Sequence, residues 1–257
     1  MHMDRRQFVK NLGLGTASLS MGSLVTASSC APSGDSSLKQ NVKEGEDGQF
    51  LFIGDDIAIA QTEYGKVQGY LLNHVYTFLG VPYGADTSGK NRFMPPQKPE
   101  PWTDVRPAVF YGNTAPQRME NRWPNNYGTF ADHWNYWDVS EDCLYLNVWT
   151  PGIADGKKRP VLVWLHGGGF TNGSGIEQDG YHGENISREG DIVFCSINHR
   201  LGPIGFSDLS GVGGEAYKDS GNVGMLDIIA ALRWVHDNIA NFGGDPGNVT
   251  VMGQSGG

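Results

Sequence analysis

A serine that could act as a nucleophile lies near the end of the chain, in the sequence GQSGG at residues 253–257. The five residues fit the pattern G-x-S-x-G and directly follow residues 248–252, which have the composition of a β-strand. A serine on a sharp turn after a strand has strained backbone and an exposed hydroxyl, and flanking glycines let the turn pack. A pattern this short also occurs by chance in glycine-rich turns. Ser255 is therefore a candidate nucleophile that needs a second, independent observation.

The second observation is the sequence HGGGF at residues 166–170, which follows an apolar run over residues 161–165. Acyl transfer builds negative charge on the former carbonyl oxygen, and backbone N–H groups fixed on that point stabilise it. Loss of one such donor costs about 10²- to 10³-fold in rate. Only glycine brings the backbone so close to a reacting group without a Cβ in the way. A G-x-S-x-G pattern after a strand and an HGGG sequence after another strand together predict acyl-transfer chemistry.

The elements that would hold both motifs alternate along the chain. Apolar runs over residues 161–165 and 192–197 have the continuous pattern of buried strands. Apolar residues at helical spacing between Met225 and Ile239 predict a helix, and the last strand follows it. Strand, helix, strand predicts a parallel sheet with right-handed crossovers. Shorter strands are expected over residues 57–60, 66–72, 75–79 and 144–149.

Longer motifs around the serine and the glycines resemble one family, the type-B carboxylesterases, which include the cholinesterases and bacterial esterases. FGGDPGNVTVMGQSGG at residues 242–257 resembles the serine signature of that family, and SEDCLYLNV at residues 140–148 resembles its second signature. NHRLGPIGF at 198–206 and GNVGMLD at 221–227 fit the segments between. The resemblance runs in register from residue 57 to residue 257. It implies an α/β-hydrolase fold with a mostly parallel central sheet and helices on both faces, ending just after the nucleophile elbow.

Carried over residue by residue, the resemblance implies Ser255 as the nucleophile and the N–H groups of Gly168, Gly169 and Gly256 as the oxyanion hole. It implies a small-molecule carboxylic ester as substrate, an acyl-enzyme intermediate and no cofactor. An amidase or a lactone hydrolase would use the same residues, so the leaving group stays open. No metal is expected either, since no His, Cys and Asp cluster in the chain has the spacing of zinc ligands.

Other positions of the family motifs carry structural expectations. Arg92 and Glu141 are expected to form an ion pair that serves packing. Ala115 stands where the family has the cysteine that bonds to the one in the second signature, so Cys143 is expected to be a free, buried thiol. Gln254 stands where many members have glutamate, and the missing negative charge weakens the case for cationic substrates.

The base that activates the serine is expected outside this chain. A serine hydroxyl is a weak nucleophile until an adjacent base takes its proton, and in this fold the acid and the histidine follow the serine. All seven histidines of the chain precede Ser255. We therefore expect a fragment of a longer enzyme, inactive by itself. Two other interpretations stay open: a non-catalytic adhesion or binding module on the same fold, and an inactive fragment of an interrupted gene.

The first 30 residues resemble a bacterial export signal. DRRQFVK carries the adjacent arginines Arg5 and Arg6, as twin-arginine signals do. The weakly apolar stretch that follows is too polar and too short for a membrane span. We therefore expect export by the twin-arginine machinery to the periplasm or cell envelope.

A lipid anchor is expected where this signal ends. ASSC at residues 27–30 resembles the cleavage box of bacterial lipoproteins, which predicts lipid on Cys30 and attachment to a membrane; cleavage nearby by an ordinary signal peptidase is the alternative. Residues 31–48 are polar and rich in Ser and Gly, as a flexible tether would be. The esterase-like domain would then occupy residues 49–257.

The charge balance excludes one class of partner. The chain has 19 Lys and Arg against 28 Asp and Glu, a net charge of −9, and it contains no block of basic residues. Proteins that bind DNA or RNA present a basic patch to the phosphates. We therefore expect no nucleic-acid partner.

Overall fold

The computed structural model describes residues 51–117 and 138–257. The twin arginines, Cys30 and the tether over residues 31–48 lie outside these ranges, so export and lipidation stay predictions. Within the two described ranges, no helix is both long enough and apolar enough to cross a membrane.

In these ranges the chain alternates strands with short helices. The strands are β1 Leu51–Phe52, β2 Ile59–Gln61, β3 Lys66–Gln68, β4 Tyr70–Leu72, β5 Val75–Pro82, β6 Arg106–Pro107, β7 Tyr145–Thr150, β8 Arg159–Leu165, β9 Val193–Ile197 and β10 Gly244–Gly253. The α-helices are α1 Glu184–Gly190, α2 Gly202–Phe206, α3 Ser210–Gly213 and α4 Val223–Asn238. Single 3₁₀ turns lie at Gly89–Asn91, Asp179–Tyr181, Glu215–Tyr217, Ser220–Asn222 and Ile239–Phe242.

The strands form a seven-stranded sheet in the order β1-β4-β5-β7-β9-β8-β10 and a three-stranded sheet in the order β2-β3-β6. In the larger sheet β8 pairs parallel with β9 and β10, whereas the other neighbours pair antiparallel. The expected parallel pairing therefore holds only for the part that carries both glycine motifs. Connection length accounts for one of these antiparallel pairs, because Asn73 and His74 alone join β4 to β5 and a two-residue turn reverses the chain. Strands β8, β9 and β10 are joined through helices, which leave room for parallel crossovers.

Helices cover both faces of this sheet, as the resemblance implies. On one face, Cys195 of β9 packs in a hydrophobic cluster that includes Trp234 of α4. On the other face, Phe194 packs against Trp149 of β7. Helix α1 begins on this second face, since a Cβ at Gly183, the residue before the helix, would overlap the rings of Phe194 and Trp149. The Ser187 hydroxyl of α1 also donates to the Trp149 carbonyl oxygen at 3.0 Å. The period-two alternation of β9 thus buries the strand on both sides.

The strand expected over residues 66–72 is broken at Gly69 into β3 and β4, which belong to different sheets. The Gly69 N–H donates to the Ala58 carbonyl oxygen at 2.9 Å. A Cβ at position 69 would overlap the carbonyl oxygen of Thr77 in β5. The chain can cross from one sheet to the other at this point only because the residue is glycine.

Two structural expectations from the family motifs are confirmed. Arg92 donates from Nε and Nη2 to the two carboxylate oxygens of Glu141, each at 2.6 Å. Cys143 is a free, buried thiol, as is Cys195, and burial raises the pKa of both thiols. Both therefore stay protonated and unreactive at neutral pH, since the thiolate is the reactive form.

A fully buried ion pair joins the segment after β9 to helix α4. The side chains of Arg200 and Asp227 are both completely shielded from solvent. Arg200 donates to Asp227 from Nη2 at 2.7 Å, from Nε at 2.8 Å and from the backbone N–H at 3.0 Å. Its Nη1 donates to the Met94 carbonyl oxygen at 2.8 Å. The pair fixes the course of the chain as it leaves β9.

Replacing Asp227 by asparagine is expected to lower the free energy of unfolding by about 3–5 kcal/mol, because Arg200 would keep its charge in a buried site without a counter-ion. Urea unfolding of the full-length gene product, followed by circular dichroism, measures this loss. Glu141→Gln is the matched control: its partner Arg92 is nearly half exposed, so solvent screens the change and the loss should be much smaller. Equal unfolding midpoints for the two variants would contradict the prediction.

Candidate active site

Ser255 lies on a sharp turn directly after β10. Its backbone has φ +56°, in the left-handed region that L-residues avoid, and the turn is closed by the Gly257 N–H, which donates to the Gln254 carbonyl oxygen at 3.0 Å. The residue is exposed. This strained, exposed position is the one that a nucleophile elbow gives its serine. We call residues 253–257 the serine elbow.

The glycines of the serine elbow are required by close packing. A Cβ at Gly253 would overlap the carbonyl carbon of Gly257. A Cβ at Gly257 would overlap the carbonyl oxygen of Leu165, the last residue of β8. The serine elbow therefore packs on the end of β8, and the residues that directly follow β8 lie beside the elbow.

Those next residues form a glycine loop over residues 166–173. Gly168 and Gly169 have φ +99° and +63°, and the Gly168 carbonyl oxygen accepts from the Thr171 and Asn172 N–H groups, both at 3.3 Å. His166 is buried, whereas Gly168 and Gly169 are exposed. The loop thus bends out of the sheet at the end of β8 and presents its glycine backbone to solvent.

The structure brings the glycine loop and the serine elbow into contact. A Cβ at Gly256 would overlap the Gly169 carbonyl oxygen and lie 2.7 Å from the Gly169 Cα. A Cβ at Gly167 would overlap the Gln254 side-chain oxygen and lie 3.0 Å from the Gln254 carbonyl oxygen. Two residues that flank the serine therefore each touch a glycine of the loop. The four residues that the sequence singled out, Ser255 with three glycines, belong to one small region.

Two polar side chains that sequence reasoning missed hold the far end of the glycine loop and the residues directly after it. The Gln117 amide donates to the Gly173 carbonyl oxygen and accepts from the Gly173 N–H, both at 2.9 Å. The Asn198 side-chain oxygen accepts from the Gly175 N–H at 2.8 Å. Asn198 directly follows β9, whose parallel pairing with β8 places both strand ends at one edge of the sheet. The position of Asn198 directly after a predicted parallel strand could have placed it near the glycine loop. Nothing in the sequence around Gln117 indicates its contact with Gly173.

Two histidine rings stack at the start of the glycine loop. The rings of His166 and His199 lie 4.9 Å apart and only 10° from parallel. Each Nδ1 faces a carbonyl oxygen, that of Gly167 at 2.8 Å and that of Arg200 at 3.0 Å, so we assign the proton to Nδ1 in both rings. Burial lowers the pKa of His199. The ring is therefore neutral at neutral pH and can stack without charge repulsion.

Within the described ranges, no group of three or more His, Cys, Asp and Glu side chains could hold a metal ion. Chemically, the region offers an exposed serine hydroxyl and a turn of glycine backbone held against it. Such backbone N–H groups can stabilise an oxyanion without a metal or a cofactor.

A parallel strand that ends in a strained serine elbow, beside a strand that ends in a glycine loop, defines the α/β-hydrolase class. The chain belongs to the carboxylesterase family, whose family model matches residues 56–257. The family and fold that the motifs predicted are therefore confirmed.

Two curated relatives illustrate the relationship. The chain is 46% identical over 199 residues to phenmedipham hydrolase of Pseudarthrobacter oxydans, and 44% identical over 202 residues to para-nitrobenzyl esterase of Bacillus subtilis. Each alignment covers 77% of this chain and 38% of the relative. A solved esterase of Clostridium hathewayi, described as able to hydrolyse aliphatic aromatic polyesters, matches with a TM-score of 0.74 and 43% identity, over 81% of this chain and 40% of that one. The chain thus spans less than half the length of these proteins.

Proposed function

We propose that the protein hydrolyses carboxylic esters, with Ser255 as the nucleophile and the backbone N–H groups of Gly168, Gly169 and Gly256 as the oxyanion hole. The observation that carries the proposal is the contact between Gly169 and Gly256, since it holds the glycine loop against the residue that follows the serine. A reacting carbonyl needs the nucleophile and the N–H donors around one point. Membership of the carboxylesterase family supports the same assignment.

The reaction would run in two steps through an acyl-enzyme. A base takes the proton of the Ser255 hydroxyl while Oγ attacks the ester carbonyl carbon, and the carbonyl electron pair moves to the oxygen, where the N–H groups stabilise it. The intermediate then expels the alcohol, which leaves with the proton that the base returns. Water repeats the sequence on the acyl-enzyme and releases the acid. In the chain order of this fold the acid and the histidine follow the serine, so neither role is assigned to a residue described here.

Uncharged carboxylic esters are the substrate class that we propose. Gln254 places a neutral amide beside the nucleophile, against Gly167, where a glutamate would add a negative charge. The para-nitrobenzyl esterase among the relatives makes aryl-substituted esters the first substrates to try. The test is hydrolysis of two such esters by the full-length gene product: p-nitrophenyl acetate followed by the absorbance of p-nitrophenolate, and p-nitrobenzyl acetate followed by chromatography of the released alcohol. A folded protein that cleaves no ester and takes no fluorophosphonate label would refute the proposal.

We also propose that residues 1–30 direct export and that Cys30 carries lipid. Cells grown with radiolabelled palmitate should incorporate the label into the protein, and Cys30→Ala should abolish it and release the protein from the membrane fraction. Cys143→Ala is the control, because that thiol is fully buried, and it should keep the label. Persistent labelling of the Cys30 variant would rule out this anchor.

A further inference from the structure

We propose that His199 is a positioning residue of the esterase site: its ring, stacked on His166, fixes the glycine loop so that the loop's N–H groups point at the oxyanion. The inference rests on the proposed function and adds a residue that touches neither substrate nor serine. His199 belongs to residues 199–206, which we call the support segment. This segment contacts the glycine loop on both sides of its three consecutive glycines.

Three contacts join the support segment to the glycine loop. The first is the stack of His199 on His166, the residue before the three glycines. The second is a hydrogen bond from the Gly202 N–H to the Phe170 carbonyl oxygen at 2.6 Å. The third is a stack of the Phe170 and Phe206 rings, 5.0 Å apart and 28° from parallel. Because His166 and Phe170 bracket Gly167 to Gly169, every glycine of the motif lies between two aromatic stacks.

The support segment is itself rigidly anchored. Arg200, the residue after His199, is bound in the fully buried pair with Asp227. A Cβ at Gly224 of α4 would lie 2.7 Å from the Arg200 carbonyl oxygen and would overlap the Phe206 ring. Helix α4 therefore packs directly on the support segment at two places, the Arg200 backbone and the Phe206 ring. A surface held this closely by a long helix can transmit rigidity to a loop that lies on it.

The glycine loop needs contacts from outside because glycine has no side chain to restrict its own backbone. A run of three glycines has more backbone freedom than any other residues would, and Gly168 and Gly169 are exposed to solvent. Oxyanion stabilisation depends on donors that are already in place before the charge develops. A shift of about 1 Å in such a group can cost about 10²-fold in rate. The two stacks supply this fixed geometry from outside the loop.

The test compares His199→Ala with His199→Phe in the full-length gene product. Alanine removes the stack, so we expect kcat for p-nitrophenyl acetate to fall about 10- to 100-fold while KM changes less than about 3-fold. Affinity for a trifluoromethyl ketone, which places an oxyanion in the hole, should fall by the same factor as kcat. Phenylalanine keeps a flat ring and should restore both values to within about 3-fold of wild type. His236→Ala is the matched control on an exposed ring of α4 and should leave both values unchanged.

Phe206→Leu keeps the proposal testable should the alanine variant fail to fold. Leucine fills space but cannot stack on Phe170, so kcat and ketone affinity should again fall together with KM retained. A folded His199→Ala protein with wild-type kcat and ketone affinity would overturn the proposal, as would equal losses in the alanine and phenylalanine variants. A wild-type protein without hydrolysis and without fluorophosphonate label would instead overturn the proposed function, and this inference with it.

Discussion

Replacing Ser255 by alanine in the full-length gene product is expected to lower kcat for p-nitrophenyl acetate by about 10⁶-fold, the cost of removing the nucleophile of a serine hydrolase. The hydroxyl is the only group in the serine elbow that can form an acyl-enzyme, since its neighbours are Gln254 and glycines. The hydrogen-bond donors of the glycine loop would remain, so a residual rate above that of water is expected. Covalent labelling by a fluorophosphonate should disappear completely.

The matched control is Ser210→Ala. Ser210 is also exposed, at the start of α3, and its hydroxyl donates to Asp208 at 2.7 Å. It lacks the left-handed backbone of Ser255 and has no glycine loop beside it, so its replacement should leave labelling and kcat unchanged. Mass spectrometry of the labelled protein should place the label on the peptide with the serine elbow. Labelling that persists in the Ser255 variant would show that another residue is the nucleophile.

The parts of the site that could be predicted from sequence are those with local causes. A serine with φ +56° and a glycine with φ +99° are backbone conformations that the neighbouring residues dictate, so short motifs record them. Helix α4 was predicted by its apolar spacing, and β8 and β9 by continuous apolar runs, because burial on one or both faces sets those patterns. The contact of Gly169 with Gly256 then follows from the parallel pairing of β8 with β10, which places the ends of these two strands side by side.

Sheet order and register were harder to predict because they depend on distant partners. Nothing in residues 66–72 shows that Gly69 must pass close to Thr77 and so divide one strand between two sheets. The antiparallel pairing of β7 with β9 joins strands more than 40 residues apart. An apolar pattern tells which face of a strand is buried, but it does not tell which strand lies beside it.

The supports of the site were missed for a similar reason. Gln117 bonds Gly173 across 56 residues of chain, and a glutamine is too common a surface residue to be noticed. His199 stands inside a family motif, yet its partner is a ring 33 positions earlier, and only the parallel pairing of β8 with β9 brings the two together. Motifs therefore indicated the reacting groups, whereas the residues that hold them became visible only in the fold.

Gly168→Ala is expected to lower kcat by about 10²- to 10³-fold with little change in KM, the effect of losing one oxyanion donor. Gly168 has φ +99°, which L side chains rarely adopt, and a Cβ there would overlap the Asn172 carbonyl oxygen. Because the obstacle is backbone, the loop must shift, and the Gly168 N–H would turn away from the carbonyl oxygen of the substrate. Ground-state binding does not use this N–H strongly, so the loss should appear in kcat and in trifluoromethyl ketone affinity alike.

Gly89→Ala separates the effect of backbone conformation from that of position. Gly89 has φ +57°, and no atom lies within 4 Å of the point that a Cβ would occupy, so alanine there suffers only the left-handed strain, about 1 kcal/mol in stability. Its kcat should stay within about 2-fold of wild type. If Gly168→Ala behaved in the same way, with lower stability and normal kcat, its N–H would not be an oxyanion donor, and the hole would have to be formed by Gly169 and Gly256 alone. A selective loss of kcat at position 168 would instead place the developing charge at the exposed turn of the glycine loop, between the two aromatic stacks that hold it.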